Sequence, residues 1–209
     1  NGIIDFSNGK GNLGIYAPGG KATNTGTILV GKTDDIDPIT GKIYTDLNKI
    51  VYGIGMAADN TGKISNEGEI RVSENKSIGM YGSGLGTIVE NTESGKIYLD
   101  GSKATDINKI KSMTEVYVDN GATFTNKGLI TTIDSYAGRD EKVNENVNGL
   151  VGVAVMNGST LINEAGGKIL IDAGNSYGVI IRGKRDASGN VERYAVIKNY
   201  GEIKVRGKG

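Results

Sequence analysis

The chain has 209 residues, 24 of them basic and 24 acidic, so its formal charge at neutral pH is zero. Without a basic excess there is no electrostatic footprint for nucleic acid and no polybasic patch for a membrane surface. Cysteine and histidine are both absent, which excludes disulfides, thiolate or imidazole metal centres and every histidine-based triad.

Thirty-four glycines stand against two prolines, aromatic residues make up only 6%, and tryptophan is missing. That balance predicts an all-β chain with many turns and few helix interiors. The longest apolar run, Leu150 to Met156, is far short of the ~20 residues of a membrane-spanning helix. Lack of cysteine fits a reducing cytosol and equally a protein that must cross an oxidising compartment unlocked.

In chain order, Gly2, Ile4 and Phe6 already carry a pattern of glycine, aliphatic residue at glycine+2 and apolar residue at glycine+4. The complete motif, which adds an asparagine two to four residues before the glycine, appears first as Asn24/Gly26/Ile28/Val30. It recurs as Asn66/Gly68/Ile70/Val72, Asn91/Gly95/Ile97/Leu99, Asn126/Gly128/Ile130/Thr132, Asn163/Gly167/Ile169/Ile171 and Asn199/Gly201/Ile203/Val205. Two residues before each asparagine stand Ala22, Ile64, Val89, Phe124, Leu161 and Ile197. Further upstream lies a third apolar stretch, Leu13 to Ala17, Tyr52 to Met56, Ile78 to Tyr81, Val116 to Val118, Val151 to Val155 and Tyr177 to Ile181.

Each stretch alternates with period two, which argues strand. A recurring unit with a single apolar face must stack on copies of itself. The expected fold is a right-handed parallel β-helix occupying residues 1–209 as one segment, about six rungs of three short strands, with loop insertions. Rungs about 4.8 Å apart would give a rod roughly 29 Å long. A chain that opens and closes in mid-pattern, without polar caps, is expected to be a piece of a longer solenoid.

Asn24, Asn66, Asn91, Asn126, Asn163 and Asn199 are expected to form a structural ladder, since stacked amides bond to one another and asparagine suits tight bends. Gly53, Gly79, Gly152 and Gly178 are expected to permit close backbone approach. No helix follows the G-x-G strings Gly53 to Gly55 and Gly82 to Gly86, so they are not cofactor loops, and no cofactor is expected.

Insertions break the repeat at 33–50, 102–114, 133–148 and 183–193. The first three replace a short turn, seen as Ser73 to Ser77 or Asp172 to Ser176, at one corner of the solenoid, and are expected to project together as a ridge. The fourth reads as a small hairpin at another corner. Loops on a rigid scaffold are common binding positions, so Tyr44 and Asp46 in the first insertion, and Tyr136, Arg139 and Asp140 in the third, are the candidate partner-binding residues. Asp34, Asp35, Asp37 and Asp46 lack the spacing of a calcium loop and read as a solvated loop. Glu69 facing Lys96, and Lys168 facing Glu202, read as cross-strand charge pairs.

The strings YGIGMAADNTGKISNEGEIRV and SIGMYGSGLGTIVENTESGKIYL resemble repeats in the passenger regions of large outer-membrane autotransporter adhesins of the type V secretion class, most closely the fusobacterial type. That resemblance implies a long secreted β-helix, displayed on the surface of a Gram-negative bacterium through a covalently linked outer-membrane β-barrel. It implies adhesion to host cells or other bacteria, by way of a surface protein or glycan. The matched residues are scaffold positions and carry no site across.

Two other readings compete. A passive stalk holding a distal head would use uninterrupted coils, and a polysaccharide-processing enzyme would need carboxylates gathered on neighbouring rungs. The glycine+1 column, Thr27, Glu69, Lys96, Leu129, Lys168 and Glu202, holds no acidic cluster, so no enzymatic activity is expected.

Overall fold

A computed structural model describes residues 2–46, 49–73, 76–99, 113–132, 150–173 and 176–206. Strand β1 (Ile3–Asp5) precedes six coils. Coil one is β2 (Leu13–Pro18), β3 (Lys21–Asn24) and β4 (Thr27–Val30); coil two is β5 (Ile54–Asp59), β6 (Lys63–Asn66) and β7 (Glu69–Val72). Coil three is β8 (Ile78–Ser83), β9 (Ile88–Asn91) and β10 (Lys96–Leu99), and coil four is β11 (Thr114–Asp119), β12 (Thr123–Asn126) and β13 (Leu129–Thr132). Coil five is β14 (Val151–Met156), β15 (Thr160–Asn163) and β16 (Lys168–Asp172). In coil six, β17 (Tyr177–Arg182) is separated from β20 (Val196–Asn199) and β21 (Glu202–Arg206) by the short strands β18 (Lys184–Arg185) and β19 (Val191–Arg193).

Equivalent strands of successive coils pair in parallel, giving one sheet for each of the three strand positions. The sheet of first strands runs β2-β5-β8-β11-β14-β17, the second β3-β6-β9-β12-β15-β20, and the third β1-β4-β7-β10-β13-β16-β21. The molecule is therefore the parallel β-helix that the repeat predicts. Coil two begins its strand at Ile54 rather than at Tyr52, because Gly53 turns the corner so tightly that a Cβ there would sit 2.4 Å from the Gly31 carbonyl oxygen.

Register places Ile4, Ile28, Ile70, Ile97, Ile130, Ile169 and Ile203 directly over one another. From Ile28 to Ile169 they are fully buried. Met56, Met80, Val116 and Val153 face them from the first sheet, and Ile64, Val89, Phe124 and Leu161 from the second. Each buried aliphatic side chain contributes ~1.5–3 kcal/mol, and none of it is available to a single coil in isolation.

Two corners are tight. Between second and third strands the motif glycine allows the coils to approach: a Cβ on Gly68 would lie 2.1 Å from the Gly26 carbonyl oxygen. Between first and second strands the backbone turns through left-handed residues, among them Asn60, Thr61, Asn120 and Asn157, where asparagine fits readily and a β-branched threonine sits under steric strain.

At the first of these corners the six asparagines bond along the axis. Each Nδ2 donates to the Oδ1 of the next coil, from Asn24 to Asn66 at 2.8 Å through to Asn163 to Asn199 at 2.8 Å. Nδ2 of Asn91 also donates to the Gly95 carbonyl of its own bend at 3.3 Å. The burial of Asn24, Asn66, Asn91, Asn126 and Asn163 is thereby matched by hydrogen bonds, each worth about 1 kcal/mol net.

Candidate binding face

The described residues of the 33–50 insertion fold as a hairpin. Asp34 bridges antiparallel to Val51 and Ile36 to Ile43, and the Asp37 carboxylate accepts the Ile39 amide at 2.8 Å, closing the tip as an Asx turn. The Ile39 amide holds the Asp37 carboxyl below the usual carboxylate range. At its root, Thr33 Oγ1 donates to the Lys76 carbonyl at 2.9 Å and accepts the Gly53 amide at 3.2 Å. Asp35 pairs with Lys76 Nζ at 2.5 Å, so the hairpin is tied to the short turn of the next coil.

Of the residues singled out from the sequence, Tyr44 is half-buried, with its amide donating to the Asp35 carbonyl at 2.8 Å and Lys49 Nζ 5.8 Å from its ring centroid. Asp46 is exposed, and its carbonyl accepts the Lys49 amide. Tyr136, Arg139 and Asp140, and the whole of 133–148, lie outside the described residues, as do residues 102–112 of the second insertion. Asp35 and Asp37 are committed to Lys76 and to the turn, so the four aspartates of this loop do not converge.

Sequence reasoning missed what the hairpin exposes. Ile39 at its tip is 93% exposed and Ile43 62%, with Ile36 beside them, which makes the tip an apolar projection on a tethered base. Exposed large apolar side chains gathered in this way mark interaction sites. The alternation I-D-P-I across the turn was the available signal; reading the loop for its charges hid it.

Beside the hairpin, the outer face of the first sheet carries a second missed feature. Its outward column reads Tyr16, Ala57, Tyr81, Tyr117, Ala154 and Ile180 in register. The rings of Tyr81 and Tyr117 stack with centroids 5.9 Å apart and planes at 27°. Together with Tyr52, Ile54, Thr114 and Asp119 they line a groove of about 510 Å³, bounded by Ile50 and Lys76 at the foot of the hairpin. Thr114 is the residue at which the second insertion rejoins the scaffold.

Electrostatics along this outer face are local. Tyr16 Oη donates to Asp59 Oδ2 at 2.8 Å, which raises the Tyr16 pKa. Burial, with the neighbouring Asp119 carboxylate, raises that of Tyr117. Asp119 accepts Asn157 Nδ2 at 2.7 Å and the Asn120 amide at 2.8 Å. The groove is an aromatic surface with fixed polar edges, suited to stacking and hydrogen bonding.

One charge relationship differs from the sequence reading, and another is added to it. Glu69 stands opposite Lys96 in register, yet its ion pair is with Arg71, two residues along its own strand. Lys127 pairs across coils with Glu90 at 2.7 Å. At the fourth insertion, β18 and β19 pair antiparallel, with Asp186 accepting the Ser188 and Asn190 amides at 2.9 Å each. The hairpin folds back so that Arg193 covers Gly158, where a Cβ would lie 2.1 Å from Arg193 Cδ.

Three parallel sheets wound around an aliphatic core, with insertions at the corners, define a pectate lyase-like β-helix. The chain belongs to the family described as the BigA third pectate lyase-like domain, which matches residues 1–129. No curated protein and no solved structure is significantly similar to the chain.

Proposed function

We propose that this segment is the β-helical scaffold of a surface-displayed bacterial adhesin, an autotransporter passenger that contacts a protein or glycan on host cells or on other bacteria. Membership in the BigA domain family supports the class, and the resemblance of the repeat strings to fusobacterial adhesins supports the secretion route. An outer-membrane β-barrel elsewhere in the parent polypeptide belongs to the same reading. The observation that carries it is the pairing of an apolar hairpin tip, Ile36, Ile39 and Ile43, with the tyrosine-lined groove at its foot.

The module acts by binding, without catalysis. Its outer carboxylates are engaged with separate partners, Asp59 with Tyr16, Glu69 with Arg71, Glu90 with Lys127 and Asp172 with Arg206, which fits a surface built for cohesion better than one built for acid–base chemistry. The unbroken core and asparagine ladder equally suit a rigid spacer. Beads coated with the 209-residue chain separate the two readings. A triple Ile36→Ser, Ile39→Ser, Ile43→Ser variant and a Tyr81→Ala, Tyr117→Ala variant are each expected to lower bead attachment to epithelial cells or to bacteria several-fold. Equal attachment by all three proteins, with unchanged circular dichroism, would leave only the spacer.

A further inference from the structure

The first strand of each coil enters through one corner position, filled by Gly14, Gly55, Gly79, Gly152 and Gly178, and in coil four by Glu115. The position faces inward. A Cβ at Gly79 would lie 3.1 Å from Ile97 Cγ2 and 3.3 Å from Val72 Cγ2, and one at Gly152 would lie 2.8 Å from Ile169 Cγ2, all of them core side chains. Glu115 is accordingly 0% exposed, and neither of its carboxyl oxygens has a hydrogen-bond partner.

Nothing charged faces it among the described residues. The neighbouring strands bury Met80 on β8, Ile97 and Leu99 on β10, Ile130 and Thr132 on β13, and Val153 on β14 in the same interior. The ionisable side chains of those strands, Tyr81, Lys96 and Tyr98, alternate to the outer face, as do Tyr117 and Asp119 on β11 itself. Thr132 Oγ1 accepts the Asp172 amide at 3.1 Å and bonds to neither Glu115 oxygen. The Leu99 amide favours the charged form in part, without forming a hydrogen bond that satisfies either oxygen, and burial, the larger influence, holds the carboxyl well above its usual range.

The place of this side chain in the chain matters as much as its burial. Coil four follows the 102–114 insertion in the sequence and is followed by the 133–148 insertion. We propose that Glu115 is a proton-operated latch on the corner of coil four: as the neutral acid it packs the corner shut, and ionisation opens the corner that roots both insertions. A buried carboxylate with no counter-charge and only the partial help of the Leu99 amide does not recover its lost hydration, so the closed corner must either keep the proton or open to water. The latch is fully engaged below the ordinary carboxylate range and loosens as the pH rises from there towards the folded-state value. Across that window the local opening constant increases by up to about tenfold per pH unit.

Hydrogen exchange on the 209-residue chain from pH 5 to 9, corrected for intrinsic rates, tests the latch. In wild type, opening of segments 113–118 and 150–155 is expected to rise with pH towards about tenfold per unit, while β5 to β7 do not respond. In Glu115→Gln, and in Glu115→Gly, which restores the residue of the other five coils, opening of the same segments is expected to be independent of pH. An infrared band from a protonated carboxyl group should be present at neutral pH in wild type and missing from Glu115→Gln. The same pH-independent opening in all three proteins, or no such band in wild type, overturns the proposal.

Discussion

Asn91 Nδ2 donates to Asn126 Oδ1 at 3.0 Å while Asn91 Oδ1 accepts Asn66 Nδ2 at 2.9 Å, so one buried amide is donor and acceptor at the centre of the ladder. Removing it strands a donor on one side and an acceptor on the other. Asn91→Ala is expected to lower stability by about 3 kcal/mol, read as a fall in the urea midpoint. Asn91→Asp should be no better, because a carboxylate cannot donate onward. Asn24→Ala, at the end of the described ladder, should cost less.

Thr61 holds a left-handed conformation with φ 65°, where the equivalent corners of coils four and five use Gly121 and Gly158. A β-branched residue pays steric strain there that glycine does not. Thr61→Gly is expected to raise stability by about 1 kcal/mol even after the larger entropy of the unfolded glycine chain, measured by thermal unfolding. A loss of stability would mean that Thr61 Cγ2, packed over Gly86, contributes more than the strain costs.

Tyr117 keeps its proton more tightly in the folded chain than a free tyrosine does, chiefly because it is partly buried. The stability tied to that difference is fully present below the unfolded tyrosine value near ~10 and is lost as the pH rises through the folded value. Phenolate absorbance in Tyr117→Phe should therefore lose one step that lies above the free tyrosine value. The variant should also unfold at higher pH than wild type; coincident alkaline unfolding curves would contradict the burial of this ring.

Much of the scaffold was legible in the residues themselves. Isoleucines at glycine+2, small residues at the bends and asparagines at one fixed place recur with spacing that only vertical stacking satisfies, and Ile28 through Ile169 are buried in that stack. The functional face was harder to read. Tyr81 and Tyr117 are 36 positions apart, and only the pairing of β8 with β11 sets their rings against each other. Ile36, Ile39 and Ile43 looked like ordinary members of a charged loop until the antiparallel bridge placed them at an exposed tip.

Sequence alone determined the winding, because a repeated apolar face has no stable arrangement except on its own copies. The tertiary structure decided which outward side chains become neighbours and which inward ones lose water. Glu115 shows the reason: strand alternation would turn one of the neighbours Glu115 and Val116 to solvent, yet both are fully buried, because coils stacked on either side close over this corner of the strand.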